Sequence, residues 1–254
     1  MAYYAEKVIK IARAEVGYLE KETNNNLDSK TENAGDKNYT KYARDLANLN
    51  FYNGRKQGVA WCDVFVDWCF VQAFGKQSAL NITFQPTNNK ANCGAGCKYS
   101  RNYYKNNGRL FDDPQAGDQI FFYNSSKTEI SHTGLVYKVD KNYVYTVEGN
   151  TSSASGVVAN GGCVAEKKYK RNYNRLAGYG RPMYTAYEPV AKEEPKVEAK
   201  PAYQCIYTVA RGDSLWKIAK KNLGNGNRYK EIVALNGKKT TIIRTGEQLK
   251  IPNK

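Results

Sequence analysis

The chain of 254 residues is poor in the groups that mark several common functions: one histidine, two methionines, and no apolar run approaching the roughly 18 residues of a membrane span. A close cysteine pair, Cys93-Gly-Ala-Gly-Cys97, has the spacing of a chelate or a small disulfide. No second close pair follows it, and the one histidine, His132, lies far along the chain, which argues against a zinc site. The start, Met1-Ala2-Tyr3-Tyr4-Ala5-Glu6-Lys7, carries an acid and leads into an amphipathic pattern. It lacks the apolar core and small-residue cleavage site of a secretory signal. The expectation is a chain made in the cytoplasm and kept there, or carried out by a route other than general secretion.

Acids are also scarce: 24 Asp and Glu stand against 39 Lys and Arg, for a net charge of +15. Such an excess attracts polyanions, nucleic acid first among them. However, no basic helix or zinc-finger spacing appears, and the tyrosines are scattered instead of gathered on one strand, so nucleic acid is not the expected partner. An anionic cell-wall polymer fits the charge equally well. The six cysteines, Cys62, Cys69, Cys93, Cys97, Cys163 and Cys205, are irregularly spaced, unlike a disulfide framework, and read as free or loosely packed thiols.

Residues 184–203 hold three of the seven prolines amid alternating charges and small residues, with no apolar periodicity. This composition predicts a semi-extended linker between a domain at 1–183 and a small one at 204–254. The first domain opens with a helical pattern in which Val8, Ile9, Ile11, Ala12, Val16 and Leu19 recur on one face. A short helix at about 40–50 and another from about Trp61 to Phe74 follow, then a long polar stretch rich in Asn, Gly and Lys. Beyond Asp113-Pro114 the period becomes two. Strands are expected at Gln119–Tyr123, Thr133–Val139, Tyr143–Val147 and Gly156–Cys163, with a closing strand at Leu176–Met183. Helices followed by an antiparallel meander define an α+β class. The last fifty residues read as a βααβ unit: Cys205–Val209, Asp213–Asn222 capped by Asp213 or Ser214, Arg228–Asn236, and Gln248–Ile251.

A thiol becomes nucleophilic when its thiolate is stabilised, and the first turn of a helix does this with unpaired N–H groups. Cys62 holds that position in the third helix, whereas Cys69, between Trp68 and Phe70, reads as core. His132, in Ile130-Ser131-His132-Thr133-Gly134, stands where a strand begins and can deprotonate such a thiol. Val147-Glu148-Gly149-Asn150 ends the next strand, where a carboxylate or amide can orient the imidazole.

Four ordered blocks, Val59-Ala60-Trp61-Cys62-Asp63-Val64-Phe65-Val66-Asp67-Trp68, Gly117-Asp118-Gln119-Ile120, Ser131-His132-Thr133-Gly134-Leu135-Val136 and Glu148-Gly149-Asn150, resemble the CHAP (cysteine, histidine-dependent amidohydrolase/peptidase) domain. The resemblance implies a papain-like α+β fold with Cys62 as nucleophile, His132 as general base, Glu148 orienting the imidazole and Asn150 as a fourth active-site residue. Some relatives bind calcium through acids just before the nucleophile. Here Tyr52-Asn53-Gly54-Arg55-Lys56-Gln57-Gly58 is basic, so no metal or cofactor is expected, and Asp28, Glu32 and Asp36 read as a solvated loop. The C-terminal unit, through Tyr207-Thr208-Val209-Ala210-Arg211-Gly212-Asp213-Ser214-Leu215-Trp216, Ile232-Val233-Ala234-Leu235-Asn236-Gly237 and Gly246-Glu247-Gln248-Leu249-Lys250-Ile251-Pro252, resembles a LysM module. That resemblance implies a groove for N-acetylglucosamine-containing glycan, with Gly212, Asp213, Ser214, Leu215 and Asn236 at groove-forming positions. The layout is similar to that of a phage endolysin, or a bacterial autolysin, cutting an amide bond of peptidoglycan as a monomer. Two rivals are a glycan-binding protein with an inert scaffold and a cysteine amidase with a soluble substrate.

Overall fold

The computed structural model describes residues 2–86, 95–153, 157, 161–187 and 203–253. The chain forms two compact units, Met1–Pro189 and Val190–Lys254. The division falls inside the Pro-rich segment, of which residues 188–202 lie outside the described residues. Its first residues belong to the first unit: Tyr184 is buried, and its hydroxyl donates to the Gly117 carbonyl at 2.8 Å.

The first unit opens with five helices, α1 (Ala2–Ala14), α2 (Lys41–Asn48), α3 (Cys62–Phe74), α4 (Lys76–Thr83) and α5 (Cys97–Asn106). Six strands follow: β1 (Leu110–Phe111), β2 (Gln119–Tyr123), β3 (Ile130–Val139), β4 (Tyr143–Thr151), β5 (Cys163–Lys170) and β6 (Leu176–Gly180). They form one antiparallel sheet in the order β1-β6-β2-β3-β4-β5. Helix α3 is apolar nearly all round, and every residue in it except Gln72 is buried, as an apolar cylinder requires. It packs against α1, α2, α4 and the strands β3 and β4.

Several boundaries differ from the sequence reading. Helices α4 and α5 lie in the long polar stretch, to which the sequence reading assigns no element, because polar residues dilute the signal. The buried face of α5 consists of Cys97, Ser100 and Tyr104. Strand β3 starts at Ile130, so His132 lies within it, opposite Phe122. Strand β4 runs on past Val147 to include Glu148 and Asn150. Much of the strand expected at Gly156–Cys163 lies outside the described residues, which exclude 154–156 and 158–160; β5 begins at Cys163. Its inward residues include Lys167 and Tyr169, so a lysine-rich strand hides its alternation.

The second unit has the expected element order: β7 (Tyr203–Thr208), α6 (Leu215–Leu223), α7 (Tyr229–Leu235) and β8 (Gln248–Pro252), with β7 and β8 antiparallel. Ser214 caps α6, accepting from the Lys217 N–H. Val209, Leu215, Ile218, Ala219, Leu223, Ile232, Leu249 and Ile251 form its own core.

Candidate active site

Trp61 anchors the start of α3. Its ring is fully buried, stacks on Tyr42 at 5.6 Å, and donates through Nε1 to Glu20 at 2.8 Å. Cys62 is the first helical residue and is 6% exposed.

The sheet brings the imidazole to this helix end. His132 Nε2 lies 2.9 Å from Glu148 Oε2, and both side chains are buried. The remaining ring nitrogen, Nδ1, is buried without a hydrogen bond of normal geometry and is the one left for the Cys62 thiol. Such contacts are commonly loose before substrate binds. Glu148 is itself held by Thr146 Oγ1, 2.6 Å from Oε1, and by the Tyr169 hydroxyl, 3.2 Å from Oε2. Neither residue figured among the sequence candidates. The only available signal was that Thr146 precedes Glu148 by two and so shares its strand face.

Two glycines in the motifs are there for space. A Cβ on Gly134 would come 2.5 Å from Glu148 Cγ, so the glycine clears a path for the carboxylate toward His132. A Cβ on Gly149 would come 2.6 Å from Phe65 Cβ and 2.7 Å from Trp61 Cζ3. Its absence lets β4 approach the start of α3. Asn150, the next residue, is buried with φ 52°, a left-handed conformation that Asn tolerates better than most side chains.

Beneath the thiol, Asp63 is 2% exposed and gathers three donors. These are Gly96 N at 2.9 Å and Ser100 Oγ at 2.8 Å to Oδ2, and Gln119 Nε2 at 2.9 Å to Oδ1. Burial, reinforced by the Cys62 thiolate, pushes its pKa up to about 6 against these hydrogen bonds. Asp67, one turn deeper, receives the Tyr52 hydroxyl and the Gln85 amide, and burial raises its pKa well above the carboxylate range.

The electrostatics favour an ion pair. A hydrogen bond from Cys97 and the charge of His132 hold Cys62 well below an ordinary thiol despite burial. For His132, burial opposes the charge, but the Cys62 thiolate and Glu148 outweigh it and raise the imidazole to about 10. Cys69, by contrast, is pushed well up by burial. A thiolate with a proton donor beside it is an arrangement able to support nucleophilic chemistry.

Among the described residues no group of three His, Cys, Asp or Glu could hold a metal ion. The acids of the early loop are otherwise engaged. Asp28 makes a two-pronged pair with Arg44, Glu32 accepts from Asn26, and Asp36 pairs with Lys37. Cys93 lies outside the described residues, and Cys97 is a free thiol.

In the second unit the candidate positions frame the loops around α6 and α7. Asp213 accepts from the Tyr207 hydroxyl at 2.9 Å and from Ala210 N at 2.8 Å, beside Gly212 at φ 88°. The Leu215 side chain is in the core. Asn236 clips α7 to β8, donating to Lys250 O and accepting from Lys250 N, both at 2.8 Å. The loop between α7 and β8 carries a hollow lined by Lys238, Thr240, Ile242, Arg244 and Glu247, with Ile242 69% exposed. Sequence reasoning passed over these residues, although an isoleucine in a polar loop is a recognisable anomaly.

Residues 54–150 match the CHAP domain, and residues 207–252 match the LysM domain. The chain therefore carries a CHAP domain followed by a C-terminal LysM domain, a pairing that points to peptidoglycan hydrolysis and glycan binding. Cys62, His132, Glu148 and Asn150 all fall within the first match. No curated protein matches the chain as a relative.

Proposed function

We propose that the protein is a cysteine peptidoglycan hydrolase that cuts an amide bond of the bacterial cell wall, with the first unit catalytic and the second holding glycan. The observation that carries this reading is the placement of Cys62 at the start of α3 beside His132, whose other nitrogen meets Glu148.

In this reading the Cys62 thiolate attacks the amide carbonyl, and N–H groups at the start of α3 receive the oxyanion. The tetrahedral intermediate collapses as the His132 imidazolium gives its proton to the departing amine, leaving an acyl-thioester on Cys62. Neutral His132 then takes a proton from water. The hydroxide attacks the thioester, and the thiolate leaves with the ion pair restored. Glu148 keeps the imidazole oriented, held in turn by Thr146 and Tyr169, and Asn150 lines the site from the same strand. No step calls for a metal or cofactor.

The LysM unit would bind N-acetylglucosamine-containing glycan between the loop holding Gly212, Asp213, Ser214 and Leu215 and the one that follows Asn236. The net charge of +15 would add attraction to anionic wall polymers and stem-peptide carboxylates. Such an enzyme works as a monomer at the cell wall, reaching it from a phage-infected cell or from outside. Digestion of purified sacculi, with mass spectrometry of the fragments, tests the reading. The expected result is release of peptides or muropeptides with new amide-derived termini. Intact sacculi after prolonged digestion would refute it.

A further inference from the structure

A second thiol sits beside the proposed nucleophile, and it takes part in none of the bond-making or proton-transfer steps of the proposed hydrolysis. Cys97 is the first residue of α5, and two hydrogen bonds tie that helix end to α3. Gly96 N and Ser100 Oγ both donate to Asp63 Oδ2, at 2.9 and 2.8 Å. Asp63 directly follows Cys62, and Gly96 directly precedes Cys97, so the clamp brings the two cysteines close together. The Cys97 sulfur also lies 3.5 Å from the Ile130 carbonyl, two residues before His132. Cys62 and Cys97 are 6% and 7% exposed. The remaining described cysteines are placed differently: Cys69 is two turns deeper in α3, Cys163 donates to the Thr151 carbonyl at 3.0 Å, and Cys205 belongs to the second unit.

We propose that Cys62 and Cys97 are a hydroperoxide-responsive site that closes to a reversible disulfide and switches the hydrolase off. The switching rests on the reading of Cys62 as nucleophile; the disulfide itself does not.

The chemistry balances with hydrogen peroxide as the oxidant. The Cys62 thiolate attacks one peroxide oxygen, the O–O bond breaks, and hydroxide leaves, taking a proton to become water. Cys62 is then a sulfenic acid. The Cys97 sulfur attacks the Cys62 sulfur, an S–S bond forms, and the sulfenic oxygen leaves as a second water carrying the Cys97 proton. Each cysteine gives up one electron and peroxide takes both. A thiol reductant reverses the reaction by exchange. The charge arrangement suits the two steps: the Cys97 thiol donates to Cys62, whose thiolate is favoured, while the same contact keeps Cys97 protonated. Attack therefore begins at Cys62. A neighbouring thiol that captures the sulfenic acid also protects the nucleophile from irreversible sulfinic acid.

The test uses the full chain. Protein exposed to hydrogen peroxide is alkylated, digested and mapped by mass spectrometry, and lysis of cell walls is followed before and after dithiothreitol. The expected result is a Cys62–Cys97 linked peptide, loss of lysis, and its return on reduction. In Cys97→Ser and Cys97→Ala, each normalised to its own untreated activity, recovery should fall about tenfold as Cys62 passes to sulfinic acid. Cys93→Ser should still form the link. A Cys93–Cys97 link in place of Cys62–Cys97, or full recovery in the Cys97 variants, would overturn the proposal. If those variants fold poorly, the peptide map of the unaltered chain decides alone. A Cys62–Cys97 link that leaves lysis intact would sink the switch together with the role of Cys62 as nucleophile. A lysis-dead Cys62→Ala alongside a peroxide-treated chain lacking the link would sink the switch alone.

Discussion

Gly149 lies so close to Phe65 that an added Cβ would come within 2.6 Å of the phenylalanine Cβ. This contact is where strand β4 meets helix α3, and it sets how near Glu148 and His132 come to Cys62. In Gly149→Ala the strand or the helix must give way. Overpacking of a tight core contact costs about 1–3 kcal/mol, visible as a lowered thermal midpoint. Wall lysis should fall much further than that loss of stability explains, by about 100-fold, since a small misplacement of reacting groups is costly. Lysis within a few-fold of wild type would mean that the approach of β4 does not govern the site.

Glu148 depends on two donors outside the motifs. Thr146→Val and Tyr169→Phe each remove one hydrogen bond while keeping the shape of the side chain. Each should lower stability by about 1 kcal/mol and the turnover number by about tenfold, with the Michaelis constant little changed. The Thr146 bond is the shorter, so its loss should weigh more. An unchanged turnover number in both would place Glu148 outside the orienting role.

Thiol reactivity separates the cysteines of α3. Cys62 should alkylate with iodoacetamide at pH 7, where the unperturbed residue is almost wholly protonated, while Cys69 should stay unmodified until the protein unfolds. Cys62→Ala should abolish lysis and Cys69→Ala should lower stability instead. Fast labelling of Cys69 alongside a lytic Cys62→Ala would end the cysteine mechanism.

The Cys62–His132 pair also shapes stability against pH. In the unfolded chain these groups titrate near 9.0 and 6.5, whereas folding holds the thiol well below its value and the imidazolium up to about 10. Below pH 6.5 the unfolded pair binds two protons and the folded pair one, so stability rises with pH by at most about 1.4 kcal/mol per unit. Between 6.5 and 9.0 each state binds one proton, and the pair contributes a level region. Above 9.0 the unfolded pair has lost both protons while the folded one keeps the imidazolium proton to about 10, so stability declines. Subtracting the denaturation midpoints of Cys62→Ala/His132→Gln from those of wild type isolates this profile. A difference that climbs steadily from pH 6.5 to 9 would contradict a preformed ion pair.

The second unit has its own core, and its removal should leave the first unit folded. Residues 1–187 alone should keep turnover on soluble muropeptides. Their lysis of whole walls should drop by about tenfold or more, because a second attachment raises effective concentration at an insoluble substrate. Equal lysis by the truncated and full chains over a range of salt would mean that charge alone brings the enzyme to the wall.

Sequence alone singles out a candidate thiol, imidazole and carboxylate, because each sits in a short block with its own spacing: Cys62 after Trp61, His132 before Thr133-Gly134, Glu148 before Gly149-Asn150. It also points to a two-unit division, since a Pro-rich charged segment cannot bury a core. Tertiary structure decided what surrounds them. Thr146, Tyr169, Asp63 and Cys97 reach the site from different elements, and no local pattern announces a contact between residues 62 and 97 or between 148 and 169. Helix α5 was hidden because only Cys97, Ser100 and Tyr104 of its ten residues are buried, and β5 because Lys167 turns inward. The roles of Gly134 and Gly149 became visible only with the neighbours in place, since their requirement is space left by another chain segment. Periodicity and local motifs report what a residue does to its own element; close approach between elements is a property of the packed core, and there α3 and α5 bring Cys62 near Cys97.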